Sequence, residues 1–230
     1  LRVEGDDLPG LLGLFVPSGN IAELPPWYEL PRKLQGALRG FLQRNTPFTA
    51  RRNVAHHYDL SDDLYRIFLD ADMQYSCAYW SRAGMTLEEA QEAKKAHIAD
   101  KLLIKPGMRV LDIGCGWGGM ALTLARDYGA QVTGVTLSDS QLATAQARAQ
   151  VEGLEDRVRF LLLDYRKLEE RFDRVVSVGM LEHVGLPQFP TYFAKVSDLL
   201  TRDGLALIHT IGRTAPPRPT SPWPGRWMRR

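Results

Sequence analysis

The chain has 230 residues, 44% of them hydrophobic and 24% charged, with a formal net charge of +2. That is room for one α/β domain with an appendage or for two small domains, with no run near the ~18 apolar residues that a bilayer span requires and no visible secretory signal. Two cysteines, Cys77 and Cys115, are too few for a disulfide scaffold and point to a reducing compartment.

Residues 1–52 are rich in Pro, Gly and Leu and hold one expected helix from Pro31 to Arg44, where Leu34, Leu38, Phe41 and Leu42 recur at helical spacing. That stripe suits packing against the main domain, or a helix lying on a membrane surface. Arg32, Lys33, Arg39, Arg44, Arg51 and Arg52 form a basic stretch without acids, and Arg213, Arg218, Arg226, Arg229 and Arg230 form another in the tail. A solvated face, an anionic membrane and nucleic acid all suit such charge.

Residues 53–101 read as a mainly helical cap. Ser61 resembles an N-cap, with Asp62 and Asp63 after it, and Thr86-Leu87-Glu88-Glu89 fits a capping box opening a helix through Lys101. From residue 109 the pattern alternates. Strands are expected at Val110–Ile113, Gln131–Leu137, Val158–Leu163, Arg174–Gly179 and Gly204–Ile211. Helices are expected up to about Tyr128, from Asp139 to Val151 and from Pro187 to Leu200. This predicts an α/β fold with a doubly wound, mostly parallel sheet, over a core at 109–212 within a domain at 53–212. Ligands of such sheets sit at the carboxyl ends of the strands. Residues 213–230, rich in Arg and Pro, predict a disordered tail.

The first strand runs into Asp112-Ile113-Gly114-Cys115-Gly116-Trp117-Gly118-Gly119. Gly114, Gly116 and Gly119 satisfy a dinucleotide pattern. Two features oppose it. Asp112 would repel a pyrophosphate, and the second strand ends Val135-Thr136-Leu137 without the acid that binds a nucleotide ribose. The D-x-G-x-G-x-G form is that of the S-adenosylmethionine loop of Rossmann-like (class I) methyltransferases. His56 and His57 are adjacent and lack zinc-site spacing, so no metal is expected.

Three more segments complete a pattern: Ala55-His56-His57-Tyr58-Asp59-Leu60-Ser61-Asp62-Asp63, Met73-Gln74-Tyr75-Ser76-Cys77-Ala78-Tyr79-Trp80 and Val178-Gly179-Met180-Leu181-Glu182-His183-Val184-Gly185. With Val110–Gly119 and Leu207–Gly212 they closely resemble the cyclopropane-fatty-acyl-phospholipid synthases and the related mycolic acid cyclopropane synthases, over residues 45–212. The resemblance implies S-adenosylmethionine as cofactor and a bound bicarbonate as base. Tyr75 and Ser76 would contact the cofactor from the cap. Asp112, Gly114, Cys115, Gly116, Trp117 and Gly118 would lie at its amino-acid end. Thr136, Leu137, Ser138 and Gln141 would hold the ribose, and Asp164 and Tyr165 the adenine. Cys77, Glu182, His209 and Ile211 match the bicarbonate positions. Methyl transfer to a cis double bond leaves a carbocation, and an adjacent small anion can both stabilise it and take the proton whose loss closes the ring. The resemblance implies unsaturated phospholipid acyl chains as substrate, a cytoplasmic enzyme held peripherally at a membrane and no nucleic-acid partner; it leaves a homodimer open.

After Gly212 the motifs stop. Thr220-Ser221-Pro222-Trp223 opens the phrase with which the family continues, and the chain ends at Arg230. The expectation is a C-terminally shortened member that lacks the final strands and a wall of the acyl tunnel, with little or no activity. Methyl branching, methylation of small amines, or cofactor binding without turnover are the competing outcomes.

Overall fold

The computed structural model describes residues 62–212. The expected helix from Pro31 to Arg44, the His56-His57 pair, the Ser61 cap and the tail from Arg213 all lie outside the described residues.

Helix α1 is Asp62–Phe68, and α2 is Leu87–Leu102. The capping box at Thr86 forms as the sequence requires. The Glu89 amide donates to Thr86 Oγ1 at 3.2 Å, and the Thr86 amide donates to Glu89 Oε2 at 3.0 Å. The cap is less helical than expected, because residues 69–86 between α1 and α2 form no helix. Side chains there take over groups that a helix would pair internally. Asp70 Oδ1 accepts the Gln74 amide at 2.7 Å, and Gln91 Nε2 of α2 donates to the carbonyls of Gln74 and Ser76. Met73 adopts a left-handed φ of 55°, which breaks any helical run.

The core has strands β1 (Arg109–Ile113), β2 (Gln131–Thr136), β3 (Val158–Leu162), β4 (Phe172–Val178) and β5 (Leu200–His209). The helices between them are α3 (Gly119–Tyr128), α4 (Asp139–Val151), α5 (Leu181–Val184) and α6 (Phe189–Leu199). The sheet order is β3-β2-β1-β4-β5, and every pair is parallel. This is the expected Rossmann-like α/β fold. Alternate residues of each strand face opposite ways. Val110, Val132, Phe160 and Val176 therefore pack with Ile98 and Leu102 of α2 and Leu122 and Leu124 of α3. Leu111, Ile113, Val135 and Val175 pack on the other side with Tyr192, Val196 and Leu199 of α6.

Strand β5 departs from its expected bounds at both ends. It begins at Leu200, paired with Phe172, but the regular ladder resumes only at Arg174 with Leu205. Asp173 alone therefore stands opposite the stretch from Thr201 to Gly204, a bulge. Gly204 is needed there, since a Cβ would lie 2.9 Å from Leu200 Cδ2 and 3.0 Å from the Thr201 carbonyl. The strand stops at His209 rather than Ile211, because the Ile211 amide turns to a side chain and not to a neighbouring strand.

Candidate functional site

The glycine loop joins β1 to α3 and is pinned to the next strand. The Gly114 and Cys115 amides both donate to the Val135 carbonyl, at 3.0 and 3.1 Å. Gly114, Gly116 and Gly118 all have left-handed φ values, of 78°, 54° and 89°. Their surroundings separate them. A Cβ at Gly116 would meet nothing within 4 Å; one at Gly114 would come 3.0 Å from Met180 Cγ. At Gly118 it would come 2.7 Å from Phe160 Cζ and 3.0 Å from Ala145 Cβ. Gly118 is thus a packing residue that lets α3 and the loop sit against β3 and α4. It does not line the cavity.

That cavity, about 160 Å³, lies at the carboxyl ends of β1 to β4. On the same measure a single water needs only about 10–15 Å³, so the space suits an organic ligand. Asp112, Gly114, Cys115, Gly116 and Trp117 line one part of it. Asp112 is 2% exposed, and its Oδ2 has no hydrogen-bond partner. Burial pushes its carboxyl up to about 7, with the Lys94 ammonium acting in the opposite direction. Burial, then the Asp112 charge, pushes the Cys115 thiol well up, which suits an inert core residue.

Beyond β2, Thr136, Leu137 and Gln141 line the cavity. The Thr136 hydroxyl donates to Gln141 Oε1 at 2.9 Å, which leaves the Gln141 amide nitrogen to donate elsewhere. Ser138 is 1% exposed and outside the lining; its Oγ accepts the Gln141 amide as the N-cap of α4. The structure gives this expected cofactor-binding residue a capping role. Asp164 and Tyr165 line the cavity after β3. Both Asp164 oxygens bond to the Arg166 guanidinium, at 2.8 and 2.5 Å. Burial opposes its ionisation, but these bonds outweigh it and hold the carboxyl below the usual range.

The loop between α1 and α2 forms the opposite wall. Tyr75 and Ser76 line the cavity, as do Met73 and Gln74. Tyr65 of α1 stacks at a tilt on Trp117, with ring centroids 5.0 Å apart, and meets Tyr75 edge-on at 5.4 Å. Asp72 fastens the loop. It bonds to Lys95 of α2 at 2.7 Å and to Arg148 of α4, whose guanidinium also donates to the Trp117 carbonyl. Lys94, Lys95, Asp72 and Arg148 escaped the sequence reading, since nothing in their spacing separates a buried lysine from a solvated one.

The four expected bicarbonate residues divide. Glu182, His209 and Ile211 meet at the ends of β4 and β5. Glu182 Oε1 accepts the Ile211 amide at 2.7 Å, and the Gly179 amide donates to the His209 carbonyl at 3.0 Å. Burial raises the Glu182 carboxyl, but the bonds from Ile211, from its own amide and from Thr210 prevail and hold it below the usual range. His209 Nδ1 is buried without a partner. Cys77 is exposed in the loop after Ser76 and forms no hydrogen bond with the other three. None of the four lines the cavity; His183, next to Glu182, does.

Comparison with known proteins bears on this arrangement. The family model described as mycolic acid cyclopropane synthetase matches residues 45–229, so it extends past Gly212, where the motif reading stopped. The cyclopropane-fatty-acyl-phospholipid synthase of Escherichia coli K12 is 52% identical over 172 residues, 75% of this chain and 44% of that protein. The cyclopropane synthase MmaA2 of Mycobacterium tuberculosis superposes with a TM-score of 0.73 at 39% identity, over 80% of this chain and 66% of that one. The mycolic acid cyclopropane synthase CmaA1, crystallised with SAH and CTAB, gives 0.67 at 41% identity, over 69% of this chain and 55% of that one. The chain spans about half the length of the curated relatives it matches.

Proposed function

The chain belongs to the mycolic acid cyclopropane synthetase family, and from that premise we propose that it binds S-adenosylmethionine in the cavity and transfers a methylene to a cis double bond of a phospholipid acyl chain, leaving a cyclopropane. The observation that carries the reading is the open face of Gly116 in a cavity that also holds the unpartnered Asp112 Oδ2. A buried carboxylate oxygen without a donor suits a cationic amino group, and a glycine with open space before it admits the adjoining chain. Thr136 and Gln141 offer polar groups to ribose hydroxyls, and Tyr165 and Leu163 offer an apolar flank to a base. When bound, S-adenosylmethionine supplies an electrophilic methyl on a positively charged sulfur.

Glu182, His209, Ile211 and Cys77 are proposed to hold a bicarbonate. A charged Glu182 and an anion repel unless a donor intervenes. The buried and unpartnered His209 Nδ1 is the group suited to that, as an N–H donor. When bound, bicarbonate supplies a base for the proton that leaves as the ring closes.

The same proposal puts the protein at the cytoplasmic face of a membrane. No helix among the described residues is long and apolar enough to cross one. Ile67, Phe68 and Trp80 are 80%, 50% and 57% exposed, and the Phe68 ring lies 6.2 Å from that of Tyr75, which lines the cavity. Exposed apolar side chains, with Phe68 set against the cavity wall, suit an acyl chain arriving from a bilayer. Mass spectrometry of lipids from cells expressing the chain tests the reading. Because the family match runs to residue 229, turnover is expected in place of the little or no activity expected from motifs that stop at Gly212: a gain of one CH₂ with loss of the double bond; a methyl branch, or unchanged lipids in cells where the chain is folded, would overturn it.

A further inference from the structure

We propose that Lys94 is a positioning residue for the cofactor's amino-acid end: from behind the cavity wall it fixes the Ser76 hydroxyl as a hydrogen-bond donor toward a carboxylate in the cavity. The inference rests on the reading that the cavity takes S-adenosylmethionine.

Lys94 is 3% exposed and does not itself line the cavity. Its Nζ donates to Gln74 Oε1 at 2.6 Å and to Ser76 Oγ at 2.8 Å, and both of those residues do line it. An ammonium has three donors and no acceptor, so Ser76 Oγ must receive the bond. The hydroxyl proton then points away from Nζ, and it has no acceptor among the described residues. Ser76 is held in place for this. Its carbonyl accepts from Gln91 Nε2 at 3.0 Å, and its Cβ lies 3.9 Å from where a Cβ on Gly179 would be.

The charges around Lys94 point the same way. Both its hydrogen bonds go to neutral oxygens. Asp70, Asp72 and Cys77 add attraction and Lys95 repulsion, but Asp72 is engaged by Lys95 and Arg148, and Asp70 by the Gln74 amide. A buried cation without a directly bonded anion is costly, and burial lowers this ammonium to about 8. An anion in the cavity would relieve that cost. Asp112 lines the same cavity within reach of the Lys94 charge, and its unpartnered carboxylate oxygen suits the opposite charge. One wall therefore favours a carboxylate and another an ammonium, the two charges of an amino-acid group.

The test is calorimetry of the full chain with S-adenosylmethionine and with decarboxylated S-adenosylmethionine, which keeps the amine and lacks the carboxylate. Lys94→Met and Ser76→Ala should each weaken the first ligand by about tenfold or more, the loss of one charge-assisted hydrogen bond. Each should change the second by less than about twofold, and the double variant should be little weaker than Lys94→Met alone. Equal losses for both ligands would mark Lys94 as a scaffold residue and overturn the inference, as would no loss for either. Should Lys94→Met fail to fold, Lys94→Gln is put through the same two-ligand comparison, with the same outcomes deciding. If the wild-type chain binds neither ligand, the cofactor reading falls with it; if it binds both and the variants do not discriminate, only the role of Lys94 falls.

Discussion

The Glu182 carboxylate accepts the Ile211 amide at 2.7 Å, joining the short helix after β4 to the residues that follow β5. A glutamine keeps an oxygen for that amide and removes only the charge. Glu182→Gln should therefore leave S-adenosylmethionine affinity within about twofold while lowering lipid turnover by about a hundredfold or more, the scale of disturbing the proton-accepting base that Glu182 helps to hold. Calorimetry and lipid mass spectrometry on one preparation check both halves. Weakened binding with normal turnover at saturation would contradict the assignment.

Gly116 and Gly118 should fail in different ways. Gly116→Val puts a branched side chain at φ 54° into open cavity space and should abolish cofactor binding. Gly118→Ala drives a methyl to within 2.7 Å of the Phe160 ring, so it should cost about 1–3 kcal/mol of stability through overpacking and lower the melting temperature accordingly. A Gly118→Ala protein that melts normally would overturn the packing role.

Asp112 makes stability depend on pH in a definite direction. Its folded carboxyl titrates near 7, well above the ordinary carboxylate value, with burial as the main cause. The folded state thus binds a proton that the unfolded chain has released between about pH 4 and pH 7. The resulting stability is complete below pH 4 and is lost as pH rises through 7. Asp112→Asn abolishes that loss. Urea denaturation should show the variant gaining on the wild type by up to a few kcal/mol between pH 5 and pH 7.5, at the cost of cofactor affinity. A difference that stays constant across that range would place the Asp112 titration elsewhere.

Asp72 should act as a fastener of the cavity wall. Removing its carboxylate leaves Lys95, whose side chain is 2% exposed, with only Glu92 beside it, and leaves Arg148 tied to the loop only through the backbone carbonyl of residue 72. Asp72→Ala should cost about 3 kcal/mol, the scale of a broken buried ion pair, and should speed hydrogen exchange across residues 69–86. Unchanged exchange there would show that α2 holds the loop without Asp72.

The parallel core was legible because buried strands appear as short apolar runs, and the loop after β1 announces itself by its glycines. Val110, Val132 and Phe160 belong to runs that admit no other placement. The wall around Ser76 was not legible for a physical reason. Helix α2 buries Gln91, Lys94 and Lys95 alongside Ala90, Ile98 and Leu102, so its inner face carries no continuous apolar stripe. Lysines in such a pattern look like solvent-facing charges. The packing role of Gly118 and the capping role of Ser138 were hidden for a related reason: a glycine or serine beside a ligand and one beside a helix start share the same local sequence, and only the position of Phe160 or of the Gln141 amide reveals the second role.

The order β3-β2-β1-β4-β5 carries a consequence for how the chain folds. Strands β1 to β3 with their helices form a contiguous segment that holds the glycine loop, Thr136 and Tyr165. Gly179, Met180 and His183 arrive only with β4, which must close against β1 across a long stretch of chain; the bond from Ser177 Oγ to the Ile113 carbonyl spans 64 residues. Non-local parallel pairing of this kind is slow, because the entropy of closing the loop precedes any contact that rewards it. Half the cavity can therefore exist before the other half docks. A ligand that needs both halves binds only chains in which the β1–β4 seam has closed, and it stabilises that closed fold by mass action.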